Sequence, residues 1–109
     1  GIMSKEDARR AIEIGCTGIV ISNHGGRQLD GSRSSFDQLK EIMDEVGDEI
    51  DVLFDSGVQR GTHVLKALSL GAKAVGIGRM YLYPLAAAGQ PGVERALGLM
   101  HAELERTYN

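Results

Sequence analysis

The chain has 109 residues, with 12 Lys and Arg against 15 Asp and Glu, a formal charge of −3, 15 glycines and one cysteine. With 42% hydrophobic and 25% charged residues it has the make-up of a folded, soluble domain rather than a disordered or fibrous chain. Its mild acidity excludes a generic nucleic-acid binder, its one cysteine excludes an internal disulfide framework and fits a reducing compartment, and no apolar run reaches the roughly 18 residues that span a bilayer.

In chain order, Ser4-Lys5-Glu6-Asp7 has the form of a capping box, with Asp in place of the usual Glu or Gln. Ala8, Ala11 and Ile12 follow at helical spacing, which predicts a first helix over about Lys5–Ile14 with Gly15 as its left-handed cap. Gly18-Ile19-Val20-Ile21 is a short, continuous β-branched run, predicted as a strand buried on both faces of a parallel sheet. Ser22 to Ser35 is a polar loop of about fourteen residues, a length that is uncommon without structure of its own and often functional. Ser34 or Ser35 caps a second helix whose apolar face is Phe36, Leu39, Ile42, Met43 and Val46. Val52-Leu53-Phe54 is the next strand, and Asp55 to Gly61 the turn after it. A third helix runs from about Thr62 to Leu70 and ends at Gly71; Ala74 to Ile77 is a third strand, closed by Gly78-Arg79. The tail is helical in two pieces, about Tyr81–Ala88 and Gly92–Tyr108, separated by Gln90-Pro91.

Strands alternating with helices of about ten residues specify an α/β fold with a parallel sheet. Glu13 to Val20 and Ser69 to Gly76 echo one another as helix end, glycine, short turn and buried strand. Such repetition belongs to a (β/α)₈ TIM barrel, whose closed form needs about 250 residues. The chain is therefore expected to be one unit, residues 1–109, forming the C-terminal half of such a barrel. It would hold three strands and the tip of a fourth at Gly1-Ile2, as a fragment of something larger.

In α/β barrels and open sheets alike, ligands meet the C-terminal ends of the strands. The first strand end carries Ser22-Asn23-His24-Gly25-Gly26-Arg27-Gln28-Leu29-Asp30. Here His24 is a natural base near neutral pH and Arg27 can hold a carboxylate with two parallel hydrogen bonds. The second and third ends, Asp55-Ser56-Gly57-Val58-Gln59-Arg60-Gly61 and Gly76-Ile77-Gly78-Arg79, pair exposed backbone N–H groups with an arginine, as phosphate-binding turns do. Elsewhere the residues read as structural. Cys16 is a small apolar filler, His63 and His101 are surface or interface groups, and Tyr81 and Tyr83 pack. Met80, Leu97, Leu99 and Met100 belong to the core, Glu103 and Glu105 to a solvated helix face. No His, Cys or carboxylate cluster has metal-ligand spacing.

The segment Ser22 to Asp30 closely resembles the active-site signature of the FMN-dependent α-hydroxy acid oxidases and dehydrogenases, and the likeness extends over Ser4 to Ala11, Asp55 to Leu70, Gly78-Arg79 and the helical tail. The resemblance implies FMN as cofactor and oxidation of a small L-2-hydroxy acid, of the lactate or glycolate type, to the 2-oxo acid. It gives His24 the role of base and Arg27 that of substrate-carboxylate clamp. It places Ser22 by the flavin, Asp55, Ser56, Gly57, Val58 and Gln59 along the ribityl chain and phosphate, and Gly78 and Arg79 at the phosphate. The family commonly has Gly where this chain has Ser56, and Arg where it has Gln59. The expected partners are the small hydroxy acid and either a second copy or a missing N-terminal half-barrel, without nucleic acid or a membrane span. The expected location is cytoplasmic, leaving peroxisomal and membrane-associated forms open. The rival reading is an inactive half-barrel that holds FMN or phosphate, or only self-associates.

Overall fold

The computed structural model describes residues 1–109, and its first helix, α1 (Lys5–Glu13), starts where the capping serine puts it. Ser4 Oγ accepts from the Asp7 N–H at 3.1 Å, and Glu6 and Asp7 lie in the first turn, at the positive end of the helix dipole. The next helix, α2 (Ser35–Val46), repeats the device with Ser34 Oγ on the Asp37 N–H at 3.1 Å. Ser35, the first residue of α2, is buried, and its hydroxyl donates to the Asp55 carbonyl at 2.7 Å, tying the helix start to the end of a strand.

Three parallel strands form the sheet, in the order β1 (Gly18–Ile21), β2 (Asp51–Phe54), β3 (Ala74–Val75). The register pairs Ile19 with Val52, Ile21 with Phe54, and Phe54 with Val75. Ile2 forms a parallel bridge to Ile21 on the free side of β1, the expected tip of a further strand. β3 is shorter than its sequence predicts. Gly76 N–H still donates to the Phe54 carbonyl at 2.8 Å, but Gly78, at φ −104° and ψ −113°, turns the chain out of the sheet.

One face of the sheet is finished. Ile19, Ile21, Val52 and Phe54 are buried in one cluster with Ala8 and Ala11 of α1, Leu39, Ile42 and Val46 of α2, and Ala67 of α3 (Gly61–Ser69). The other face is not. Val20 is 42% exposed and Leu53 36%, so the expectation of strands buried on both sides fails for residues 1–109. α1, α2 and α3 cover the buried side, and Val20 and Leu53 lie uncovered on the other.

The tail, α4 (Leu82–Tyr108), is broken at Ala88–Gly89, two residues before the expected Gln90-Pro91. Pro91 instead falls in the first turn after the break, where its missing N–H deprives no carbonyl. α4 packs on α3 through Gly61. A Cβ there would stand 2.5 Å from the backbone of Met100 and Leu104, so only glycine admits the approach. Glu103, expected to be solvated, completes the joint. It accepts from Arg60 at 3.0–3.2 Å and from the Thr62 N–H at 3.3 Å, capping α3 from across the structure where Arg60 supplies no side-chain cap. The hydrogen bond from Arg60 holds the Glu103 carboxyl below its ordinary pKa and raises that of Arg60.

Other expectations are corrected along the same edge. Leu97 is 45% and Leu99 54% exposed, and Tyr81 is exposed too, because α4 has a partner on one flank only. Cys16 is exposed in the turn between α1 and β1 rather than filling the core. No helix is long and apolar enough to cross a membrane.

Candidate functional site

Because the strands are parallel, the loops after β1, β2 and β3 leave the same edge of the sheet. After β1 the chain turns at Ser22-Asn23 into a short 3₁₀ turn, His24–Gly26. Asn23 Oδ1 accepts from the Gly26 N–H at 3.2 Å, and the His24 carbonyl from the Arg27 N–H at 3.2 Å. His24 takes φ +56°, a left-handed conformation that a residue with a side chain adopts only when its surroundings hold it there. One other non-glycine residue of the chain has positive φ, Ser56 at +85°, and it stands in the second loop.

The two loops are joined at these residues. Ser56 Oγ donates to Asp55 Oδ1 at 2.9 Å, accepts from the Gly25 N–H at 3.2 Å, and lies 3.3 Å from Ser22 Oγ. Ser22 Oγ in turn accepts from the His24 N–H at 3.1 Å. The third loop reaches the same place, with Arg79 Nη2 donating to the Gly25 carbonyl at 2.7 Å. A Cβ on Gly25 would run into the Arg79 guanidinium, and its φ is +66°, so this position needs glycine twice over. His63, read from sequence as a surface residue, also engages the site, its Nδ1 accepting from the Gln59 N–H at 3.2 Å.

Between the loops lies a cavity of about 620 Å³. The residues that the resemblance implies at the site line it: Ser22, His24 and Arg27 from the first loop, Asp55, Ser56, Gly57, Val58 and Gln59 from the second, Gly78 and Arg79 from the third. Arg60, the arginine expected to serve the second turn, is instead bonded to Glu103 of α4. Gly25, Gly76, Ile77, Met80 and Tyr83 complete the lining. Tyr83 was expected to pack; it is 82% exposed and faces this space instead. The sequence held the signal, since Tyr83 follows Arg79 by four residues as the chain enters a helix, a spacing that puts both on one side.

The charges at the cavity favour an anion. Arg27 and Arg79 are cations, and the one acid, Asp55, is engaged by Ser56. An imidazole and a guanidinium lining one cavity can respectively accept a proton from a bound molecule and fix its carboxylate.

The profile of the FMN-dependent dehydrogenase family matches residues 1–109. An FMN-dependent alpha-hydroxy acid dehydrogenase of Penicillium citrinum is 53% identical over 104 residues, which are 95% of this chain and 26% of that protein. An L-lactate oxidase of Nostoc sp. is 51% identical over 104 residues, covering 95% of this chain and 28% of the relative. Among solved structures, a flavocytochrome b2 variant with pyruvate bound superposes with a TM-score of 0.92 at 47% identity, over 98% of this chain and 28% of the other. The chain thus spans little more than a quarter of the length of these relatives.

Proposed function

We propose that this chain, which belongs to the FMN-dependent dehydrogenase family over residues 1–109, supplies the base, the carboxylate clamp and the phosphate cradle of an enzyme that oxidises a small L-2-hydroxy acid to the 2-oxo acid. The carrying observation is the convergence of three strand-end loops on one cavity, with His24, Arg27, Gly78 and Arg79 all in its wall. The parallel sheet with one bare apolar face supports its being the C-terminal part of a (β/α)₈ barrel, the rest of which, or a second copy, would cover Val20 and Leu53.

FMN, when bound, would supply the oxidant, taking up two electrons and one proton, the equivalent of a hydride, while the second proton goes to the protein. The residues present fit it. Gly57 and Gly78 leave open space where side chains would begin, so a phosphate can come close to the backbone, and Arg79 brings a cation to the same cavity. Gln59, standing where the family commonly has Arg, contributes its backbone N–H to His63 and no charge. Arg27 orients the hydroxy acid through its carboxylate, and an imidazole nitrogen of His24 receives a proton as the carbinol carbon becomes a carbonyl. Ser22 and Asp55 to Val58 line the remaining wall, where they would hold the cofactor.

The test uses a full barrel in which residues 1–109 replace the matching stretch of the Nostoc L-lactate oxidase. Loaded with FMN and mixed anaerobically with lactate or glycolate, it should lose its flavin absorbance while forming the 2-oxo acid. A barrel that holds FMN but is bleached by no hydroxy acid would reduce the chain to a binding module.

A further inference from the structure

We propose that Ser56 is a positioning residue for His24 and Arg27, its hydroxyl pinning the first loop in the left-handed turn that keeps both at the cavity. The inference rests on the reading of His24 as the base.

The observations come from conformation and from hydrogen bonding. The chain has two non-glycine residues at positive φ, His24 and Ser56, on different loops 32 positions apart, and a short network joins them. A turn that only needed φ +85° at position 56 would be served best by glycine, which adopts it without strain. A serine there is explained by what its hydroxyl does. Asp55 Oδ1 is an acceptor only, so the Ser56 proton points to it, at 2.9 Å. The Ser56 oxygen is then left to accept, from the Gly25 N–H at 3.2 Å and from the Ser22 hydroxyl at 3.3 Å. Ser22, having given its proton to Ser56, accepts from the His24 N–H at 3.1 Å. Two successive amides of the strained turn therefore end, through hydroxyls, on one carboxylate. Such chains polarise in one direction and strengthen each link.

From the other side Arg79 holds the Gly25 carbonyl at 2.7 Å. Gly25 is gripped at both its N–H and its C=O. His24 precedes it, and Arg27 is fixed to His24 by the 3.2 Å bond from its own N–H. Losing the Ser56 hydroxyl takes away the acceptor of the Gly25 N–H and the link from Ser22 to Asp55, which loosens the turn that carries both functional side chains.

The experiment compares Ser56→Ala and Ser56→Gly. Both delete the hydroxyl, but the glycine variant also relieves the strain at φ +85°, so it reports even if the alanine variant folds poorly. The first readout is amide hydrogen exchange at His24 and Gly25 in the 109-residue chain without FMN. The parent should protect these amides, and both variants should exchange them about tenfold faster, the effect of losing one hydrogen bond of ordinary strength. The second is turnover per bound flavin in the completed barrel, which should fall about 10- to 100-fold. There the isotope effect from α-deuterated substrate on kcat should rise as breaking the C–H bond becomes the slow step. A merely structural loss would lower the flavin-loaded fraction and leave that isotope effect alone. An unprotected Gly25 amide in the parent, or a glycine variant with parental exchange and isotope effect, overturns the proposal. Faster exchange in both variants, with no oxidation by any form including the parent, would keep the grip on the loop and overturn the proposed reaction.

Discussion

The C-terminal edge of the sheet and its bare face are built from the same strands, yet one is complete and the other is not. At the edge, three loops are cross-linked by side-chain and backbone hydrogen bonds, and His24, Arg27, Asp55 and Arg79 stand at one cavity. Two residues back along β1 and β2, Val20 and Leu53, whose neighbours Ile19, Ile21, Val52 and Phe54 are buried, are left open. The site's geometry is a local product of short loops on a rigid sheet. The apolar cover is a product of chain length, and residues 1–109 provide one side of it.

The sharpest test of the finished edge is His24→Gln in the completed barrel. Glutamine keeps a polar side chain of similar reach but cannot take a proton near neutral pH. Turnover should fall by about 10²–10⁴, the usual worth of a positioned base, with flavin still bound. Unchanged kcat on every hydroxy acid tried would remove His24 from the chemistry and leave the edge a binding surface. Arg27→Lys should have the next largest effect. It keeps the charge and loses the two-pronged geometry, so kcat/KM should drop about 10- to 100-fold, with weaker inhibition by the 2-oxo acid product.

The bare face makes a smaller claim. Apolar side chains left wet favour association, at about 25 cal/mol per Å² of area they could bury. The 109-residue chain by itself should therefore self-associate and fail to oxidise hydroxy acids. Replacing Val20 and Leu53 together by serine should weaken that association about 30-fold, at roughly 1 kcal/mol for each truncated side chain. A parent chain that sediments as a well-folded monomer at micromolar concentration would erase the contrast between the two regions.

What the sequence made legible follows the same division. β1 is readable because three β-branched residues, Ile19-Val20-Ile21, follow one another, and α2 because Ser34 caps it and Leu39, Ile42 and Val46 recur at helical spacing. The site residues are readable because strand order puts their loops at one edge. The bare face is not readable, since a run of apolar residues looks the same whether or not a cover is present. Nor are the partners of Glu103 and His63. Glu103 meets Arg60 across 43 positions, and His63 meets a backbone N–H that no pattern of side chains announces. The end of β3 is lost to its glycines, which suit a strand and a turn equally.

The joint between α3 and α4 offers the smallest effect and a sign that can be checked. Arg60 donates to both Glu103 oxygens, and this hydrogen bond lowers the Glu103 pKa in the folded chain. Unfolding releases the carboxyl to its higher, ordinary value, so the unfolded state binds more protons wherever pH lies between the two. The contribution of Glu103 is therefore fully present above the ordinary carboxylate range and is lost as pH falls through the lowered folded value. Glu103→Gln keeps the shape but gives up the charge and one of the acceptors used by Arg60 and Thr62. In the completed barrel its Tm should lie below the parent's at neutral pH by no more than a few degrees, because Glu103 is partly buried but its partner Arg60 is exposed and screened by solvent. The two melting curves should converge toward acid. If the gap stayed constant down to the acid limit, Glu103 would act through neutral hydrogen bonding rather than charge, and α4 would be held by contacts such as those of Met100 and Leu104 with Gly61.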